Sequence, residues 1–133
     1  MHIREFESSD AECLVEILRL NGQYSSAEVE GPAAMERFAQ CDVALFLVAE
    51  EGGRPKGLLR AVYDGSRAMV HLLSVHPEYH RKGVGSDLLV AAQSELRRRG
   101  APSLSVTVTE ESADFWEKQG FSRLPVFLML KEF

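Results

Sequence analysis

Three apolar runs follow one another through the middle of the chain with very little between them. They are "VALFLVAE" (43–50), "GLLRAVYD" (57–64) and "AMVHLLSV" (68–75). Each has strand length and is bounded by turn residues, which argues against short buried helices. The joins are "EGGRPK" and "DGSR", and the Asp-Gly pair tolerates the positive φ of a tight hairpin. A parallel crossover needs a dozen or more residues, so runs this close must pair antiparallel. The chain is committed to a three-stranded meander, and everything else has to be arranged on it.

Upstream, "MHIREFE" alternates as a starting strand. Asp10 can cap a helix through Leu20, with Cys13, Leu14, Ile17, Leu18 and Leu20 on its apolar side. Residues 21–32 read as loop, and a short helix covers 33–39. Downstream, "HPEYHRKGVGSDLL" (76–89) opens a helix whose Leu88, Leu89, Ala92 and Leu96 share a face and whose last turn is basic before Gly100. "SLSVTVT" (103–109) alternates as a strand, and "SADFWEKQ" (112–119) is a short helix stopped by Gly120. "PVFLMLKEF" (125–133) closes with a strand. No repeat or linker interrupts this order, which predicts one mixed α/β domain over residues 1–133.

Composition narrows the functional classes. At 133 residues, 45% apolar and 26% charged, the chain suits one soluble core. The first residues carry no apolar signal run, and nothing approaches the ~20 apolar residues of a membrane span, so a cytoplasmic protein without a membrane partner is expected. The net charge of −5 divides into −6 over residues 1–64 (6 basic, 12 acidic) and +1 over 65–133 (9 basic, 8 acidic). Binding along nucleic acid calls for a broad basic surface, which this balance excludes. The acidic half suits a cationic partner or simply a solvated surface. Cys13 and Cys41 lack metal-ligand spacing and read as buried thiols, and no metal is expected.

The order strand, glycine turn, helix makes "HRKGVGS" a candidate pyrophosphate cradle. A helix start offers unpaired N–H groups and partial positive charge, and glycine lets an anion approach the backbone. Donors run from about Lys82 to Ser86, with Arg81 and Lys82 adding potential; a structural turn with solvated basic residues is the other reading. The chain has no G-x-x-x-x-G-K-[ST], and G-x-G-x-x-G fails because Leu88 stands at its third glycine.

"LLSVHPEYHRKGVGSDLL" resembles the acyl-CoA-binding motif of the GNAT superfamily of acyl-CoA-dependent N-acyltransferases, and "ADFWEKQGF" is similar to its late helix. "AVYDGSRAMVHLLSV" looks like a branch of small prokaryotic members whose substrates are mostly unassigned. The resemblance implies a mixed, mostly antiparallel sheet of about six or seven strands flanked by about four helices, splayed between strands four and five. It further implies acetyl-CoA as co-substrate, with the main chain of Leu73, Ser74 and Val75 along the pantetheine and a Leu73 backbone donor at the oxyanion. The pyrophosphate would sit on Lys82, Gly83, Val84, Gly85 and Ser86. His71, expected on one face of its strand with Met69, Leu73 and Val75, is the candidate general base.

Three positions depart from the family pattern. His80 replaces a Gln or Arg in the phosphate motif, and Thr109 replaces an Asn near the pantetheine. Trp116 replaces the Tyr that serves as general acid, and indole N–H is a donor without acidity near neutrality. Trp116 is left as a group that packs on or hydrogen-bonds the cofactor arm. The leading expectation is an N-acetyltransferase acting on a primary amine by direct attack in a ternary complex. The alternatives are a weak or inactive domain that senses or displays acyl-CoA, and a plain structural domain. The acceptor, small molecule or peptide, is open, and so is the choice between monomer and homodimer.

Overall fold

The structure is a computed structural model describing residues 1–133. β1 (His2–Glu5) leads through a 3-10 turn at Ser8–Asp10 into α1 (Ala11–Leu20). A single turn, α2 (Ala27–Glu30), and α3 (Pro32–Ala39) precede the meander β2 (Ala44–Glu51), β3 (Arg54–Tyr63) and β4 (Ala68–Val75). A second 3-10 turn at Pro77–Tyr79 precedes α4 (Val84–Arg99), then β5 (Ser105–Val106) and α5 (Ala113–Lys118). The sheet order is β1-β2-β3-β4-β5, antiparallel throughout except for the β4–β5 pair. It is the mixed, mostly antiparallel architecture expected, with five strands rather than six or seven.

Strand alternation sends side chains to two cores, one on each face of the sheet. On one face Leu45, Leu47, Leu59, Ala61 and Val70 pack against Leu88, Leu89, Ala92 and Leu96 of α4. On the other, Phe46, Val48 and Leu58 pack against Leu14, Ile17 and Leu18 of α1 and Met35 of α3. Gly57 lets α4 approach β3: a Cβ there would lie 3.2 Å from both Leu88 Cδ1 and the Ser74 carbonyl oxygen. The predicted cap at Asp10 takes another form. Its carboxylate makes no bond to the α1 backbone; it accepts the Glu7 N–H at 2.8 Å and two Arg4 bonds of 2.8 Å each. Asp10 thus ties β1 to the entry of α1, and Arg4 holds its carboxyl below the usual range against the opposing effect of burial.

Two features of the sheet set up the site. First, Arg60 faces Leu72 but Ala61 faces Val70, so His71 is an extra residue in β4. Such a bulge shifts the side-chain alternation by one. Second, β5 pairs with β4 only at Met69↔Ser105 and Val70↔Val106. Past the bulge the two strands separate, leaving Leu72–Val75 with a neighbour on the β3 side alone. That divergence shortens the strand expected over 103–109, and the segment expected as a strand over 125–133 forms none. The cysteines are free thiols, Cys13 half-buried and Cys41 exposed rather than buried. No helix is long and apolar enough to cross a membrane.

Candidate acyl-CoA site

The open edge of β4 is the floor of the site. Successive residues of a strand direct their main-chain groups to opposite sides. The His76 N–H donates to the Lys56 carbonyl on β3 at 2.7 Å, which fixes the phase. Leu73 and Val75 therefore turn their N–H and C=O groups into the gap beside β4. Side chains reach their carbonyls from that direction: Gln23 Nε2 donates to Leu73 at 3.2 Å, and Asn21 Nδ2 donates to Val75 at 2.8 Å. The expectation for Ser74 is corrected by the same phase. Its main chain faces β3, and its buried hydroxyl accepts from Asn21 at 2.7 Å.

The cradle stands at the end of this edge. Gly83 has φ +82°, a value that few side-chain-bearing residues adopt, and a Cβ there would meet nothing within 4 Å. Arg81 also takes positive φ, at 62°. Together they fold the chain so that α4 begins abruptly at Val84, whose buried side chain anchors the turn in the core. The first backbone bond into the helix is Asp87 N–H to the Gly83 carbonyl, at 2.9 Å. The N–H groups of Val84, Gly85 and Ser86 thus point out of the helix start without helical partners. Gly85 serves a different purpose from Gly83: a Cβ there would touch the Phe115 ring at 3.5 Å, so this glycine brings α4 close to α5. Ser86 Oγ accepts from Gln119 Nε2 at 2.9 Å, a second link between these helices.

Positive charge gathers around Tyr79. Lys82 Nζ lies 5.1 Å and Lys56 Nζ 5.0 Å from its ring centroid, and its hydroxyl donates to Glu51 at 2.9 Å. Lys56 was not visible as a site residue in the sequence. The hairpin register places it beside the end of β4, and only the pairing reveals it. His80 is engaged with the strand: its Nε2 donates to the Val75 carbonyl at 2.7 Å, so that nitrogen carries the proton. His80 therefore organises the β4 edge in this structure rather than the cradle.

The bulge decides where His71 lies. Met69 and His71 were expected to share a face with Leu73 and Val75. Instead Leu73 and Val75 pack toward the α4 core, whereas His71 lies on the α1–α3 face with its ring centroid 6.0 Å from that of Phe38. Desolvation, and secondarily the charge of Arg60, lower its pKa below 6.5, so the imidazole is neutral near pH 7. Arg60 is a residue the sequence did not mark. It is 9% exposed, stacked 4.4 Å from the Phe38 centroid, and donates from Nη1 to the Val29 carbonyl at 3.3 Å. Its Nε is buried without a partner, and the Glu30 carboxylate, whose charge acts on Arg60, accepts from Ser25 and Ser26 through Oε1. A cation so placed has the α2–α3 turn above it and the candidate base beside it.

Two late positions differ from expectation. Trp116 is 6% exposed and part of the α4-side core, with edge-on contacts to Phe115 and Phe121 at 5.2 Å each. It is a packing residue, and the α5 side chain that reaches the cradle is Phe115. Thr109 ties off the 109–112 turn, its N–H donating to Ser112 Oγ at 3.2 Å. The structure therefore brings Leu73, Val75 and the residues of the glycine turn to one continuous edge. It sets His71 on one side of that edge, and leaves Trp116 outside it.

Comparison with known proteins agrees with this fold. The PaiA N-acetyltransferase of Thermoplasma acidophilum, solved with coenzyme A, superposes with a TM-score of 0.85 at 22% identity, covering 95% of this chain and 92% of its own. The aminoglycoside 6'-N-acetyltransferase AAC(6')-Ig of Acinetobacter haemolyticus gives 0.83 at 17% identity, over 99% and 98%. Ard1 of Thermoplasma volcanium gives 0.78 at 25%, over 91% and 82%. The family model described as acetyltransferase (GNAT) domain matches residues 22–126, which include the meander, the glycine turn and α5. The chain belongs to the GNAT acetyltransferase family.

Proposed function

We propose that this chain, as one catalytic domain, transfers an acetyl group from acetyl-CoA to a primary amine by direct attack within a ternary complex. The observation that carries the reading is the continuity of the open β4 edge with the glycine turn. Main-chain groups of Leu73 and Val75 face one gap, and the unpartnered N–H groups of Val84, Gly85 and Ser86 stand at its end beside Arg81, Lys82 and Lys56. A strand edge of this kind suits an extended amide-containing arm, and a bare helix start suits its phosphates. PaiA of T. acidophilum, which shares the fold, is solved with coenzyme A, and this supports the same ligand here.

The chemistry needs little beyond placement. A lysine-like amine has a pKa of ~10.4, so freeing its nitrogen at pH 7 costs roughly 4.6 kcal/mol. Neutral His71 accepts that proton, directly or through one water, as the nitrogen bonds to the carbonyl carbon. The Leu73 N–H then stabilises the oxygen as it gains negative charge. As the carbonyl re-forms, the C–S bond breaks and the thiolate departs. With a thiol pKa of roughly 8.5, taking free cysteine as the guide, it can be protonated by water. Trp116 has no part in that step. Its core position supports a second reading, a domain that holds acyl-CoA with slow or no turnover.

Calorimetric titration with acetyl-CoA tests the common ground. The expected outcome is micromolar binding, lost in Gly83→Asp. Aspartate tolerates positive φ comparatively well, so the fold is retained by circular dichroism, while its carboxylate opposes the phosphates. Absence of binding by the unaltered protein would overturn both readings. Thiol release with a panel of amines then separates turnover from binding alone.

A further inference from the structure

We infer that the acceptor is a compact amino carboxylate, an amino acid or a short-chain relative of one, whose carboxylate takes the Nε–Nη2 edge of Arg60 while its amine lies at His71. This names an acceptor class within the transfer reading above and rests on it. Arg60 is the one basic residue among the buried ones, at 9% exposure. The other two arginines that are not exposed each have a carboxylate: Arg4 is held by Asp10 and Glu50, and Arg99 by Glu95. Arg60 has no ion pair. The acid whose charge acts on it, Glu30, is engaged elsewhere, accepting three bonds through Oε1 from Ser25 and Ser26. A buried cation left without a counter-ion weakens a fold, and an apolar side chain in its place is often neutral or better. Packing alone does not account for an arginine here.

The guanidinium is already oriented for a ligand. Nη1 donates to the Val29 carbonyl at 3.3 Å, and the Phe38 and Phe46 rings lie 4.4 and 5.8 Å from Cζ. The edge left over is Nε–H with Nη2, two parallel donors that match the two oxygens of a carboxylate. Nε is buried without a partner, whereas Nη2, which also makes no hydrogen bond, is not fully buried and gives the way in. A cofactor phosphate is the wrong anion for this edge. Arg60 stands opposite Phe46 and Leu72 on the α1–α3 face, and the glycine turn opens α4 on the other. The amine end is fixed by the same ring that stacks on Arg60: the His71 centroid lies 6.0 Å from that of Phe38. A molecule carrying its amine a few bonds from its carboxylate reaches both groups. A polyamine or aminoglycoside would bring only positive charge to Arg60 and be repelled.

The test offers the full chain acetyl-CoA with the standard α-amino acids, β-alanine and γ-aminobutyrate, each beside its carboxamide, at a pH where His71 is neutral. The expected result is thiol release with kcat/KM about 10–100-fold higher for a preferred acid than for its carboxamide. Arg60→Met should abolish that preference through KM, leaving the carboxamide and acetyl-CoA affinity unchanged; Arg60→Lys, which keeps the charge without the fork, should restore only part of it. A second readout does not need turnover. In protein labelled with ¹⁵N at arginine, the Arg60 Nε–H resonance, identified by its loss in Arg60→Met, should move downfield with the acid and stay in place with the carboxamide, with or without coenzyme A. A resonance that no acid moves overturns the inference, as does thiol release from acids and carboxamides alike. Movement without thiol release would leave the carboxylate site standing and overturn the transfer reading, so the two can fail separately.

Discussion

The two faces of the sheet contribute to the candidate site in different ways. On the α4 face, the proposed contacts are main chain: a positive φ at Gly83, a bare helix start, and carbonyls and N–H groups along β4. The side chains there, Val84, Leu88 and Leu89, are buried packing. On the α1–α3 face, the candidate groups are side chains: His71 stands on β4, Asn21 and Gln23 reach toward it, and Arg60 projects from β3 beside them. A fixed cofactor can be held by backbone geometry that tolerates sequence change, whereas selecting an acceptor requires particular functional groups. The division is sharp enough to break by mutation.

The largest effect is expected at His71. His71→Gln keeps the size and hydrogen-bonding capacity but removes the proposed base, and should lower kcat by about 10²–10⁴-fold. Acetyl-CoA affinity by calorimetry should not change, because His71 lies off the face that carries the cradle. A parallel loss of affinity would show that the two faces are not separable. The opposite control is Leu88→Ala in the α4-side core, which is fully buried and should cost about 2–5 kcal/mol in denaturant unfolding. Residual folded protein should keep the unaltered pH dependence of turnover.

How much of this was legible in the sequence follows the same line. The meander and the helix after the glycine turn could be read because their signals are local: apolar alternation, Asp-Gly, and a Gly pair before a periodic run. The glycine turn of the proposed cradle is largely backbone and so was legible too. His71 was singled out as a candidate, but the face it occupies was misread. The bulge that reverses its neighbours depends on how β3 and β4 come into register, and no residue of β4 signals it. Arg60, Asn21, Gln23 and Lys56 sit 50 or so residues, or one strand, from the groups they serve, and only tertiary structure joins them. Alternation alone also overstated the last strands. The 125–131 run has the same pattern as the meander, yet a strand exists only where an edge accepts it.

A finer test concerns the electrostatics of the α1–α3 face. His71 is held below 6.5 first by desolvation and then by Arg60. A base with a lowered folded pKa stays neutral further into acid, so the acid limb of kcat/KM should lie below pH 6.5. Folding stability should begin to fall as pH drops through 6.5, where the unfolded chain takes up its proton first, and continue to fall until the folded pKa is passed. Arg60→Met removes the like charge and leaves the burial. The acid limb should therefore move upward while remaining below 6.5. A limb that does not move would mean that Arg60 acts only as packing between Phe38 and the sheet.

The smallest effect, and the most informative about the boundary between the faces, is expected at Asn21. Its amide binds Ser74 Oγ and the Val75 carbonyl, so it fastens the end of α1 to the strand whose other groups face the gap. Asn21→Ala removes both bonds, yet His80 Nε2 still serves the Val75 carbonyl, and only the Ser74 hydroxyl is left without its partner. The loss should be about 1 kcal/mol, seen as a lower denaturant midpoint with an unchanged slope. Leu73 and Val75 are oriented by their ladder with β3 and not by Asn21, so acetyl-CoA affinity should remain within about twofold, under ~0.5 kcal/mol. A tenfold change would mean that the α1–α2 segment sets the β4 edge directly. Acceptor-side residues would then control the cofactor side, and the division between the faces would fail at this residue.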